Sequence, residues 1–311
     1  MNFNKFKIWV ITDGSEGMIS QVNGLANQFS SNIKEIKADL IFPWNKLQPG
    51  FLPLFKWIFK NQIPKDGLPD MIISCGRKSV YVSLYLKKKY KKIINIHIQN
   101  PKISSKKFNY IISPNHDNHK GSNVINSVGA LHYFNKTINS SNKNILTCII
   151  GGDNKHYYFN NNEAIKLSNQ LLELKKQNLE LELHVITSRR TSKRIKDILL
   201  KKLSDIASIW IGNGKNPYKF SISNSNYFVV TSDSTSMISE AAISGKPIYI
   251  YHLPFKRKSK RISSFHKEFE KLGITRKIEN IKELENWSYD PLNESKRIAS
   301  IIKKRIIEEN I

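Results

Sequence analysis

Short apolar runs alternate with stretches whose apolar residues recur at helical spacing, and this alternation repeats along the whole chain. The clearest example is 227–251, YFVVTSDSTSMISEAAISGKPIYIY. Residues 227–231 are rich in β-branched and aromatic side chains and predict a buried strand. Ser232-Asp233-Ser234-Thr235-Ser236 follows, a string of helix-capping residue types, and 237–244 predict a short helix. Gly245 ends it, Pro247 forbids its continuation, and 248–251 open a second buried strand.

The same strand–loop–helix unit is legible from the N-terminus. Residues 7–11 predict a strand, 12–18 a glycine-containing loop, and about 20–29 a helix. Further strands are predicted over 70–74, 92–99, 110–113 and 124–128, with a helix over 79–89. The Asn- and Ser-rich stretch 135–144 reads as a linker. A second series then begins, with strands over 144–150, 181–187 and 208–211 and helices over 162–177 and 192–203. Repetition of this kind predicts parallel, doubly wound α/β sheets. Two domains are expected, over 1–138 and 139–311, with a C-terminal helix free to pack back on the first.

One stretch does not fit. Residues 42–63, FPWNKLQPGFLPLFKWIFKNQI, crowd aromatic and aliphatic side chains around Lys56 and Lys60. Apolar residues fall on most faces of any helix drawn through it, which favours a partly exposed wedge of the kind that rests on a membrane. A helix packed on the sheet is the alternative.

Ligands of open α/β sheets bind beyond the C-terminal ends of the strands, where this chain collects its polar residues. The start of the 237–244 helix suits an anion, through free N–H groups, the helix dipole and neighbouring hydroxyls. Glu240, one turn inside that helix, could accept from a pair of sugar hydroxyls. Serines that only cap and a glutamate that only complements the dipole are the competing account. Gly151-Gly152 allows a ligand close to the backbone, or makes a simple turn. Arg189 and Arg190, beside hydroxyls at a strand end, make a phosphate clamp or a surface ion pair. Gly14 and Gly17 do not complete a dinucleotide-binding fingerprint. His97, His116 and His132 are each isolated, and a lone histidine is more often structural.

Composition narrows the classes. No apolar run is long enough to cross a membrane as a helix, and the N-terminus lacks the cleavage site of a signal peptide. Cys75 and Cys148 have no metal-type spacing and imply no disulfide framework, so the sequons at Asn135 and Asn139 carry little weight. A cytoplasmic protein is expected, able to attach peripherally to the inner face of the cytoplasmic membrane. The formal net charge of +25 over 311 residues suits nucleic acid, anionic lipid or an acidic substrate. Lys greatly outnumbers Arg and no aromatic-basic recognition motif appears, so a solvated basic surface is expected and a nucleic-acid partner is not.

Taken in order, GALH at 129–132, GG at 151–152, TSRRT at 187–191, NPY at 216–218 and VTSDSTSMISEAAISGKP at 230–247 resemble the mitochondrial-fission family named for elongated mitochondria in plants. The resemblance spans nearly the whole chain. Bacterial members of that family are taken to be glycosyltransferases, and the family is similar to the GT-B fold of two Rossmann-like domains facing across a cleft. It implies a nucleotide-sugar donor on the C-terminal half and an acceptor, a cell-surface glycan or a lipid-linked precursor, on the N-terminal half. It implies diphosphate at Ser234, Thr235 and Ser236 with help from Arg189 or Arg190, ribose near Glu240, and the base near Asn216, Pro217 and Tyr218. Gly151 and Gly152 fall on the same donor side. No Asp-x-Asp motif appears, so no metal site and no resident cofactor are expected. Asp13 and Glu16, on the first loop, are the candidate bases for an inverting transfer. Bacterial relatives tend to carry Gly-His where this chain has Gly17-Met18, which puts catalytic competence in question. An epimerase acting on nucleotide sugars and a non-enzymatic interaction protein on a retired scaffold are the alternative functions.

Overall fold

The computed structural model describes residues 1–61, 63–64, 67–134, 144–279 and 281–309. The linker expected over 135–144, all but Asn144, lies outside the described residues, as do both sequons and the 138/139 boundary. In chain order the elements are β1 (Ile8–Thr12), α1 (Glu16–Ala26), β2 (Ile33–Lys37), β3 (Met71–Cys75), α2 (Arg77–Lys89), β4 (Ile94–Ile98), β5 (Tyr110–Pro114) and β6 (Val124–Ser127). There follow β7 (Ile145–Ile150), α3 (Asn161–Gln177), β8 (Glu182–Thr187), α4 (Lys193–Leu203), β9 (Ala207–Trp210), α5 (Tyr218–Asn224) and β10 (Tyr227–Thr231). The last are α6 (Thr235–Ala241), β11 (Ile248–Tyr251), α7 (Lys260–Lys271), β12 (Thr275–Lys277) and α8 (Glu294–Glu308).

The chain divides into two compact units, Met1–Tyr133 with Asn293–Ile311, and Phe134–Leu292. Each carries a six-stranded parallel sheet. The orders are β2-β1-β3-β4-β5-β6 and β12-β11-β10-β7-β8-β9. β1, β3, β4, β5, β7, β10 and β11 are buried along their full length, as expected of parallel strands covered on both faces. This is the α/β class that the alternating pattern predicts. In the first sheet the chain reverses direction between β1 and β3. In the second it reverses between β7 and β10. Ligand crevices of open α/β sheets form at such reversals.

In the first unit, Val22 and Leu25 of α1 and Ile298, Ile302 and Ile306 of α8 pack on one sheet face, and Val82 and Leu86 of α2 cover the other. The 129–132 loop is part of this packing. Leu131 and His132 are buried, the His132 carbonyl accepts from Ser295 Oγ at 2.8 Å, and a Cβ on Gly24 would lie 2.2 Å from that carbonyl oxygen. In the second unit, α3 and α4 place Leu167, Leu171, Ile195 and Leu199 against the sheet.

Several helix boundaries differ from those predicted, among them the start of α2, at Arg77 rather than 79. α1 begins at Glu16 rather than near residue 20, because Ser15 takes the extended N-cap conformation and Glu16 enters the first turn, where the dipole favours an acid. Glu16, Gly17 and Met18 are therefore helical. α6 begins at Thr235 rather than 237 and ends at Ala241, after which a single 3-10 turn leads to Gly245 at φ +69°. The described residues of 42–63 form no α-helix. A 3-10 turn at Lys56–Ile58 is their only regular element among the described residues, with Ile58 buried and Phe42, Phe51, Phe55 and Trp57 exposed.

His97 lies in β4, fully enclosed. Its Nδ1 is 2.9 Å from Ser74 Oγ, and that hydroxyl also donates to Ile96 O at 3.1 Å, so Nδ1 carries the proton in this network. Burial pushes the imidazole down from 6.5 to about 3. In the interval between those values the unfolded chain holds a proton that the folded chain does not, so His97 costs stability as pH falls through it. His97→Asn keeps a polar partner for Ser74 without titrating. Between about pH 6 and about pH 4, wild type should lose about 1.4 kcal/mol per pH unit relative to this variant. Urea titrations across the range measure the gap; parallel curves would contradict a buried neutral imidazole.

Candidate functional site

The second sheet reverses at β7 and β10, and the loops leaving β7, β8 and β10 are tied together there. At their centre is Asp233, whose side chain is fully enclosed. Its Oδ1 accepts from Thr231 Oγ1 at 2.6 Å and its Oδ2 from Gly152 N at 3.0 Å. The Arg190 guanidinium approaches Oδ2 to 2.6 Å. Thr231 Oγ1 in turn accepts from Gly151 N at 2.8 Å. The two glycines are sterically required: a Cβ on Gly151 would lie 2.1 Å from Asp233 Oδ2, and one on Gly152 would lie 2.2 Å from the Arg190 carbonyl oxygen. From the β8 loop, Ser188 Oγ donates to Gly151 O at 2.7 Å, and Thr191 Oγ1 accepts from Ser188 N at 3.0 Å while also reaching Gly151 O.

A buried carboxylate is tolerable only when charge-paired and fully hydrogen-bonded, and Asp233 is both. Its signal in the sequence is a lone acid inside a hydroxyl-rich loop, opposite a diglycine. Asp233, Thr231, Ser188 and Thr191 were not among the expected site residues, and the first two form the frame that holds the rest.

The two arginines separate. Arg190 is committed to Asp233 and also donates to Gly152 O at 3.3 Å, with its side chain 39% exposed. Arg189 is exposed and makes no hydrogen bond or ion pair among the described residues. Arg190 thus makes an ion pair, but with a buried partner and not at the surface.

Ser234, Thr235 and Ser236 are half-buried at the start of α6. Ser234 occupies the N-cap position, yet its side chain makes no cap bond. Among the described residues none of the three hydroxyls has a protein partner. Capping does not account for them. The first-turn N–H groups beside them have no intrahelical acceptor, by the geometry of any helix.

Glu240 is buried, 8% exposed, and accepts a hydrogen bond from the Tyr218 hydroxyl. Because α6 starts at Thr235 and ends at Ala241, Glu240 stands in its last turn, not one turn from its start. It is past the first turn, where the dipole would favour an acid, and the helical stretch continues through the 3-10 turn at Ala242–Ser244, so complementing the dipole is not its role. Asn216 Oδ1 accepts from Tyr218 N at 2.9 Å and opens α5, with Pro217 at the N-cap position. The 216–218 turn is thereby joined to Glu240. The Tyr218 ring also packs edge-on to Phe134, centroids 5.8 Å apart. Behind the loop, His266 Nε2 donates to Ser232 O at 2.9 Å, and Ser232 Oγ accepts from Leu253 N at 3.0 Å.

In the first unit, Asp13 and Glu16 stand where β1 gives way to α1. Asp13 Oδ1 accepts from Ser15 N at 3.0 Å and fixes the turn. Glu16 is exposed in the first helical turn, without a hydrogen bond or ion pair among the described residues. Met18 lies against the loop after β3: a Cβ on Gly76, which sits at φ +91°, would be 2.5 Å from its Sδ. Among the described residues no group of His, Cys, Asp and Glu could hold a metal ion, and no helix is long and apolar enough to cross a membrane. Cys75 and Cys148 are buried free thiols.

Two parallel, doubly wound sheets in one chain define an α/β protein of GT-B type, and solved structures agree. The UDP-GlcNAc 2-epimerase of Methanocaldococcus jannaschii aligns at TM-score 0.53 and 14% identity, over 96% of this chain and 99% of its own. The glycotransferase of kitacinnamycin aligns at 0.51 and 10%, over 96% and 98%. The family model for mitochondrial fission ELM1 matches residues 16–306, and the chain belongs to that family. It is 30% identical to an uncharacterized protein of Rickettsia prowazekii, over 95% of this chain and 97% of that one. It is 25% identical to the mitochondrial fission protein ELM1 of Arabidopsis thaliana, over 78% of this chain and 65% of the plant protein.

The frame makes a paired prediction about glycine. Gly151→Ala forces a methyl into the Asp233 carboxylate and should cost about 1–3 kcal/mol, as overpacking does. Gly17→Ala, with nothing within 4 Å of the added carbon, should instead stabilise α1 by about 0.5–1 kcal/mol. Chemical denaturation of both variants checks this, and a neutral Gly151→Ala would remove the close approach.

Proposed function

We propose that the chain binds a nucleotide sugar at the β7–β10 reversal and transfers the sugar to a hydroxyl of a cell-surface glycan or its lipid-linked precursor. The observation that carries this reading is the three hydroxyls at Ser234, Thr235 and Ser236, without a partner among the described residues and adjoining the Arg190–Asp233 frame. A diphosphate offers acceptors to such donors, and preorganised donors favour the charge that builds on a leaving diphosphate. Arg190 would be held in place by Asp233. Arg189 would be free to close on the phosphate. The Glu240 carboxylate, steadied by Tyr218, would accept from the ribose hydroxyls, and the turn of Asn216, Pro217 and Tyr218 would meet the base.

In the transfer, the acceptor oxygen forms a bond to the anomeric carbon. The bond from that carbon to the diphosphate oxygen breaks, and the diphosphate leaves with the electron pair. The acceptor proton passes to a base, for which Glu16 and Asp13 are the candidates. Met18 supplies no base, so proton transfer would rest on these carboxylates.

An epimerase reading is favoured by the likeness to the M. jannaschii enzyme. Incubation with sugar nucleotides and no acceptor separates the two. An epimerase converts the sugar; a transferase only hydrolyses the donor slowly. A non-enzymatic role, suggested by the plant relative's name, predicts no nucleotide binding in calorimetry.

Glu240→Gln keeps an acceptor for the Tyr218 hydroxyl but removes the charge. It should weaken nucleotide binding by about 1–2 kcal/mol and leave pyrophosphate binding unchanged. Equal losses for both ligands would mark a general defect and remove the ribose role. Arg189→Ala should weaken binding of nucleotide and pyrophosphate alike by about tenfold. Unchanged calorimetric titrations would take Arg189 out of the site.

A further inference from the structure

We propose that the 40–60 segment is a preformed membrane-docking wedge that inserts into the interface of an anionic phospholipid bilayer. Its inner and outer residues have separate tasks. Leu40, Trp44 and Ile58 are buried with Tyr81 of α2. Leu40 pairs with Phe59 across an antiparallel bridge, and Ile41 N donates to Ile58 O at 3.0 Å, so the segment closes on itself. Trp44 Nε1 donates to Pro53 O at 3.0 Å across the loop. From α2, the Arg77 guanidinium donates to the carbonyls of Trp44, Asn45 and Leu47, and the Tyr81 hydroxyl donates to Leu47 O at 3.1 Å. The loop is anchored before any partner arrives.

The outer residues are those a core would claim. Phe42 is 75% exposed, Phe51 76% and Trp57 60%. Trp57 stacks on Phe55 with the ring planes 10° apart, and its other neighbour is Trp44. Exposed aromatics of this size grouped on one loop mark an interaction surface. The charge identifies the occupant. Residues 40–64 contain Lys46, Lys56 and Lys60 and no acidic residue, in a chain of net charge +25. Lys46 and Lys56 are exposed and form no ion pair among the described residues, whereas Lys60 and Lys78 share Asp39. Aromatic rings flanked by unpaired lysines match the interface of a bilayer with anionic headgroups, where rings settle at headgroup depth and lysines meet phosphate.

Flotation of the whole chain with vesicles tests this. Wild type should float with mixed phosphatidylglycerol–phosphatidylcholine vesicles and remain below with phosphatidylcholine alone. Raising salt from about 0.1 to about 1 M should release it, since screening shortens from about 10 to about 3 Å. Phe51→Ser with Trp57→Ser leaves the net charge unchanged and should lower partitioning at least about tenfold. Phe42→Ser with Phe51→Ser, at the two most exposed rings, should do the same and guards against a folding defect at Trp57. Lys46→Gln with Lys56→Gln should also reduce binding, by about fivefold for each lysine. The proposal is overturned if wild type stays below, if it floats equally with uncharged vesicles, or if both aromatic pairs float as wild type. It is also overturned if sedimentation shows a dimer that the aromatic substitutions dissociate, because the face then belongs to a second copy.

Discussion

The candidate site depends on one buried anion. Asp233 enters the interior of the second unit at the point where its sheet reverses, and a carboxylate there is stable only with its oxygens satisfied. Gly152 N, Thr231 Oγ1 and Arg190 satisfy them. Each partner comes from a different strand end, so satisfying the anion also fixes the relative positions of the three loops. The diglycine follows from the same constraint, since a side chain at Gly151 would occupy the space of the carboxylate. What resembles a glycine-rich ligand loop is first a loop shaped around the protein's own acid.

This produces a division between internal and outward polar groups. Thr231, Ser188, Thr191 and Asp233 spend their hydrogen bonds on backbone, on one another and, at Asp233, on Arg190. Ser234, Thr235 and Ser236, next in sequence, spend none among the described residues. A rigid inner layer beneath an open outer one is what a site needs to bind an anion without reorganising. The arginines divide in the same way, Arg190 inward and Arg189 outward, although adjacent in the chain.

The parallel sheets were legible because buried parallel strands are written as continuous apolar runs, and β1, β3, β7 and β10 are such runs. The candidate site was placed in the sequence by the polar loops after those strands, but its hydrogen bonding was not legible there. Nothing in the spacing of Arg189 and Arg190 says which turns inward; that is set by Asp233, some forty residues on in the chain. Helix starts were misplaced at α1 and α6 for a local reason. Ser15 and Ser234 adopt cap conformations without cap bonds, so a chain scanned for capping residues offers several equivalent starts. The two-residue shift in the start of α6 carries Glu240 beyond the first turn, which is where the dipole would favour it.

That position bears on Glu240. A carboxylate 8% exposed beyond the first turn draws little from the helix dipole, and one of its hydrogen bonds comes from the neutral Tyr218 phenol. A neutral donor returns less than a charged one, so burial of the charge is offset only in part by this bond. The 42–63 segment also divides an inner side from an outer one. Its inner residues complete a core while its outer rings remain in water, an unfavourable arrangement for an isolated fold. The surrounding structure fixes both places, through Asn216 and α5 beside Glu240 and through Arg77 and Tyr81 beneath the 42–63 segment. Rigid support beneath exposed rings is what the proposed docking surface would require.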